Sequence, residues 1–259
     1  MSTEKGAAMG AKTGLLVYSN GDVREVLRAA AASDRVRTRG LIKDLYPGWT
    51  VQEVESSTLG DGTYPPYGTT YAASFPGVDV VCDQRVMLSR PSELSAHLVE
   101  AGAERRLVLH AMHSVSDWLA FAVWEDGRLV RSLSLSPDEG VVENIGEPFP
   151  FEVPYWGGEH AVPHDPEWSD EPYALPFHPL ELGEDVLRTM FGFVLEGEIF
   201  SDDPQLDDVE LLGFRLTDPS NPDEVAIHDA ALQEIIDSMG PPRRFTHGPD
   251  GSLIEIEGA

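Results

Sequence analysis

A chain of 259 residues, 41% hydrophobic and 24% charged, is long enough to bury one sizeable core and lies outside the disordered and fibrous ranges. Its net charge of −27 is unevenly placed: residues 1–110 hold 12 Lys or Arg against 13 Asp or Glu, and residues 111–259 hold 6 against 32. Nucleic acids and anionic membranes attract clustered Lys and Arg, so this balance excludes both as partners, and the single cysteine excludes an intrachain disulfide.

Residues 1–8 read as a flexible leader. A strand follows over 14–19, and Asn20 or Asp22 caps a helix whose Val23, Val26, Leu27 and Ala30 share a face. A second helix over 33–46 stops against Pro47 and Gly48. Strands are expected over 49–54, 69–75 and 78–82, then a helix entered at Pro91 and ended by Gly102. Residues 105–135 form the clearest pattern, a three-stranded meander. Leu107, Leu109 and Ala111 alternate with Val108, His110 and Met112, so both faces of the first strand are apolar and it is internal; residues 118–124 behave alike. Asp126-Gly127 supplies a hairpin turn in which positive φ costs little. The returning strand sets Leu129, Arg131, Leu133 and Leu135 on one side and leaves Ser132 and Ser134 on a wetter one.

Residues 147–181 differ in kind, with eight prolines, seven aromatics and eight carboxylates but no Lys or Arg. That much aromatic area favours burial, so this stretch reads as an ordered wrapping loop, and long ordered loops tend to carry function. An amphipathic helix is expected over 184–196, ended by Gly197, and a strand over 209–216. Asn221 and Pro222 then open a helix with a buried stripe of Val225, His228, Leu232, Ile235 and Met239, stopped by Gly240 and two prolines. The domain plan is a leader over 1–8, a main domain over 9–217, a C-terminal helix packed on it over 218–240 and a tail over 241–259. No apolar run approaches the ~20 residues of a membrane span, and the N-terminus has no signal-peptide core, so the expected location is cytoplasmic.

Candidate chemistry is sparse. Gly6, Gly10, Lys12 and Thr13 imitate a phosphate loop, but the Gly-Lys step and the preceding strand are missing. His110 and His113, with Asp117 behind them, have donor types that suit a divalent transition metal, yet a spacing of three in a strand sends the rings to opposite faces. His160, His164, Asp165, His178 and Glu181 give a second set with ligand chemistry on the proline-rich loop, where no metal-binding spacing accompanies them. Cys82 ends an apolar strand beside Asp83, a setting for an inert core thiol. On the same loop Tyr155, Trp156, Trp168 and Tyr173 are the aromatic residues placed to contact a partner.

Four stretches, MGAKTGLLVYSNGDV (9–23), FPGVDVVCDQRVML (75–88), VLHAMHSVSDWLAFAVWEDGRLVRSLSLSPD (108–138) and PFHPLELGEDVLRTMFGFVLEG (176–197), resemble an uncharacterised family of actinobacterial, Streptomyces-type proteins known as a domain of unknown function. The resemblance covers about residues 9–216 and implies an intracellular setting; no reaction or ligand comes with it. The fold expected is α+β, a mixed or mainly antiparallel sheet built around the 105–135 meander with helices packed on one face. Two functions stay open. One is a non-catalytic binding or interaction protein using loop 147–181, with a protein partner and no cofactor; the alternative is a metal-assisted hydrolase with histidine and carboxylate ligands around a divalent ion.

Overall fold

The computed structural model describes residues 10–29, 32–164, 171–239, 244–247 and 253–256. The chain divides into two compact units, Met1–Pro219 and Ser220–Ala259. In the first, β1 (Lys12–Ser19) is followed by α1 (Val23–Arg28), α2 (Arg35–Leu45), β2 (Thr50–Thr58), α3 (Leu59–Gly62), β3 (Thr69–Phe75) and β4 (Val78–Cys82). After two short 3-10 turns come α4 (Ala96–Glu100), β5 (Arg106–His113), β6 (Trp118–Glu125), β7 (Arg128–Ser136) and β8 (Gly140–Ile145). The unit closes with α5 (Val153–Trp156), α6 (Pro179–Phe191) and β9 (Glu210–Thr217).

These strands make one nine-stranded sheet in the order β2-β9-β3-β4-β1-β5-β6-β7-β8, and every neighbouring pair is antiparallel. The protein is therefore α+β. β1 sits near the middle because seven of its eight residues are buried, which requires a neighbour on each edge and a layer on each face. Leu15 and Val17 enter one core with Val23 and Leu27 of α1 and Leu187 and Phe191 of α6. Leu16 and Tyr18 point the other way, into a second core with Ile42 and Leu45 of α2 and Leu98 of α4. Helices thus cover both faces, not the single face expected, because strands apolar on both sides leave neither free for water.

Local signals act as the sequence predicts at several ends. Asp22 accepts from the Glu25 N–H as expected, and Asp34, not singled out from the sequence, caps α2 by accepting from the N–H groups of Val36 and Arg37. Asp126 and Gly127 both take positive φ, 50° and 74°, in the β6–β7 turn. Elsewhere tertiary structure decides. α6 begins at Pro179 and ends at Gly192, whose φ of 84° makes the left-handed cap; the stop expected at Gly197 comes five residues too late. Ser132 and Ser134 are fully buried, not on a wetter side, since β8 and its inward Glu143 lie against them.

The second unit holds α7 (Glu224–Met239) and an antiparallel pair, β10 (Arg244–His247) with β11 (Leu253–Ile256), inside the stretch expected to be a plain tail. Leu232 and Ile235, expected in a buried stripe, are 48% and 57% exposed: helical spacing aligns apolar residues but does not supply their cover.

β9 brings the C-terminal end of the first unit between β2 and β3. Gly213 is indispensable there, since a Cβ on it would lie 2.1 Å from the carbonyl oxygen of Glu55, where β2 bulges. Gly213→Ala is expected to lower stability by about 1–3 kcal/mol, the usual cost of forcing atoms into a filled site; urea unfolding followed by tryptophan fluorescence measures it.

Candidate functional site

The proline-rich segment leaves β8 and folds over the face of β6 and β7, where Leu119, Phe121, Leu133 and Leu135 lie under Tyr155, Leu175, Phe177, Leu182 and Val186. A fully buried ion pair anchors it. The Arg131 guanidinium on β7 gives Nε and Nη2 to the Glu152 carboxylate at 3.0 and 2.6 Å, both side chains 0% exposed. Its Nη1 donates to Asn144 Oδ1 at 2.6 Å and to the carbonyls of Ile145 and Gly146. Glu152 also accepts from the Phe149 N–H at 2.8 Å. The four loop aromatics singled out from the sequence meet different fates. Tyr155 is buried, donating to Asp185 Oδ2 at 2.7 Å and stacking on His160 at 3.8 Å. Trp156 meets the edge of Phe177 at 5.0 Å, and Tyr173 stacks on His178 at 5.7 Å. Trp168 lies outside the described residues, as does Asp165. Tyr155 is therefore buried, and Trp156 and Tyr173 are half-buried against neighbouring rings of the loop.

The histidines are similarly occupied. His110 is fully buried between Thr13 Oγ1 at 2.8 Å and the Gly183 carbonyl at 3.0 Å, so both ring nitrogens are used, and burial pushes its pKa down to about 3. His113 faces the opposite side of β5, with Nδ1 3.3 Å from Ser116 Oγ; burial and the nearby Lys12 lower its pKa. His178 caps α6, accepting from the Leu180 N–H at Nδ1, and turns Nε2 to Asp117 Oδ2 at 3.6 Å. Asp117 sits in the β5–β6 turn at a φ of 47°. His160 pairs with Glu181 Oε1 at 2.7 Å, and His164 is exposed. Among the described residues no group of three or more His, Cys, Asp or Glu is placed to hold a metal ion. Cys82 is buried, and burial together with Asp83 raises its thiol pKa, so it stays protonated.

What the structure does bring together is a groove of about 500 Å³ between α6 and the segment that follows it. Its lining includes the carboxylates of Glu181, Glu184, Asp185, Glu196 and Glu198, with Leu180, Val194 and Phe200 as apolar wall. α6 presents the first three because positions i, i+3 and i+4 share a helix face. Its docking is set by packing. The buried Leu182, Val186, Leu187 and Phe191 are each worth roughly 1.5–3 kcal/mol, against about 1 kcal/mol for a side-chain cap. Arg188 is the one cation in the lining, and it is bound to Asp203 at 3.1 Å and to the Glu198 carbonyl. Glu184 accepts from the N–H groups of Leu195 and Glu196 at 2.9 and 3.1 Å, which holds the far wall to the helix. Burial pushes the Glu184 carboxyl up to about 7, outweighing those two hydrogen bonds.

Sequence reasoning passed over most of this groove because it began the helix at Glu184, which left Glu181 in the loop. The available signal was charge: from residue 132 to 187 there is no Lys or Arg. The model of a family described as "Family of unknown function (DUF6928)" matches residues 13–214, nearly all of the first unit, and the chain belongs to that family. No curated protein and no solved structure matches the chain.

Two measurements check these arrangements. Arg131→Met leaves Glu152 buried without its partner and is expected to cost about 3–5 kcal/mol, most of it recovered in Arg131→Met/Glu152→Leu, since an apolar pair strands no charge; chemical unfolding of both variants decides. Glu184 holds a proton in the folded chain between its usual 4.5 and about 7, so its stabilising contribution is complete below pH 4.5 and disappears as pH rises through 7. Thermal unfolding of Glu184→Gln, neutral at every pH, is expected to fall less between pH 5 and 8 than that of the parent, by roughly 1–2 kcal/mol.

Proposed function

We propose that this member of a family of unknown function is a non-catalytic binding protein whose α6 groove takes a cationic segment of a protein partner. The observation that carries the reading is the gathering of five lining carboxyl groups, of which Glu184 sheds its proton only as pH rises through about 7, around a single lining cation already consumed by Asp203. Such a site attracts Lys or Arg over a Debye length and then offers the apolar wall of Leu180, Val194 and Phe200 to their stems. No cofactor enters this reading. Loop 147–181 contributes through its last residues, His178 and Glu181, while Tyr155 donates to the lining Asp185 and Tyr173 stacks on the lining His178. No helix among the described residues is long and apolar enough to cross a membrane.

The metal-assisted hydrolase draws less support. It needs imidazoles gathered around one point, and His110 spends both ring nitrogens on the protein itself, while among the described residues no group of three or more His, Cys, Asp or Glu is placed to hold an ion.

Fluorescence anisotropy with a labelled Lys-rich decapeptide tests the binding reading. Glu181→Gln/Glu198→Gln is expected to weaken binding about fivefold, given about 0.5 kcal/mol for each exposed charge. The same loss of charge at Glu100→Gln/Glu104→Gln is expected to leave it nearly unchanged. Equal effects from both pairs would reduce the groove to a contributor to net charge and end the proposal.

A further inference from the structure

The geometry points to a second contact surface, the open edge of the sheet at β8, as the place where an extended Lys- or Arg-bearing segment of the partner adds a tenth strand. This rests on the reading above for the charge of the partner, but not for the site.

The two ends of the nine-stranded sheet differ. β2 ends one side, and its residues carry the marks of an edge guarded against pairing: Gln52, Glu53 and Glu55 line it, and Glu53 is clamped by Arg39 at 2.7 Å; both edge strands bulge, so it is charge that separates them. β8 ends the other side with the sequence GVVENI. Its one charged side chain, Glu143, is turned inward, 5% exposed, to accept from Ser132 and from the backbone and hydroxyl of Ser92. Beside the exposed Asn144, two aliphatic side chains are open to solvent, Val141 at 43% and Ile145 at 42%, and the register with Leu135 and Ser132 puts one on each face of the strand. The pairing shift between Ser134 and Leu135 leaves Val142 as a single bulged residue, so the strand is kinked but its edge carries no charge of its own. Arg131 fixes the end of the strand from behind through the carbonyls of Ile145 and Gly146, so the edge is held ready before any partner arrives.

Charge selects the occupant. Asp138 and Glu139 in the turn before β8 and Glu147 after it are exposed and bracket the strand at both ends. The chain from 132 to 187 offers no cation to pair with them. A second copy of this chain would bring the same carboxylates into register with themselves, and like charges across strands are destabilising. An extended basic strand would gain main-chain hydrogen bonds from the edge, contact with Val141 on one face for its apolar side chains, contact with Ile145 on the other for its lysine stems, and ion pairs at the two ends.

Amide hydrogen exchange of the full chain, with and without an alternating Lys-Val decapeptide, reads the site directly. Protection gained across residues 140–146 is expected, together with at least tenfold weaker binding in Val141→Lys/Ile145→Lys, two exposed changes that guard the edge without entering the core. Glu181→Gln/Glu198→Gln is expected to leave that protection in place even if it weakens capture in the groove, which separates the two sites. An Asp-Val decapeptide is expected not to bind. Protection confined to α6 and residues 193–200, unchanged affinity in the double lysine variant, or a dimer by sedimentation that the same variant dissolves would each overturn the proposal.

Discussion

The organisation of the acidic half depends on one buried charge pair. Arg131 and Glu152 have no contact with solvent, so every polar atom they carry must be answered within the protein or the cost runs to several kcal/mol. The answers come from three directions. Glu152 binds the guanidinium and the start of its own turn at Phe149, Asn144 comes from β8, and the carbonyls of Ile145 and Gly146 come from the corner that follows. Satisfying one arginine therefore positions the edge strand, the corner and the entry of the proline-rich segment together. That segment can then close over Phe121 and Leu133, and α6 can lie down on what it leaves uncovered.

Much of the fold was legible because its strands repeat a simple rule. In 105–135 large apolar residues occupy both alternating sets, and such strands find cover on both faces. The same rule, applied consistently, would have put helices on each side, since Leu15 and Val17 demand as much cover as Leu16 and Tyr18. β8 escaped notice for a different reason. Six residues with one buried glutamate and two exposed aliphatics have no clean period, and their place is set by Ser132, Arg131 and Ser92, all distant in the sequence or on another strand.

The groove was less legible than the fold. A carboxylate-rich helix face reads as ordinary solvated surface until something folds back to make its second wall, and here that wall is the stretch after Gly192, held by Glu184 through two backbone N–H groups. The aromatic residues drew attention for the opposite reason. Tyr155, Trp156 and Tyr173 are the residues most often found at contacts between proteins, yet apolar area in a segment without regular structure is first claimed by that segment's own interior.

The place of β9 bears on how the chain is made. Thr50 finds its opposite number in Thr217 and Thr69 finds its own in Arg215, so β2 and the outer side of β3 have nothing to pair with until almost the whole first unit has left the ribosome. Closure of such distant partners is slow, and the nascent chain spends that interval with two unsatisfied strands. The glutamates along β2 then protect during synthesis as well as afterwards: they keep a waiting strand from finding the wrong neighbour.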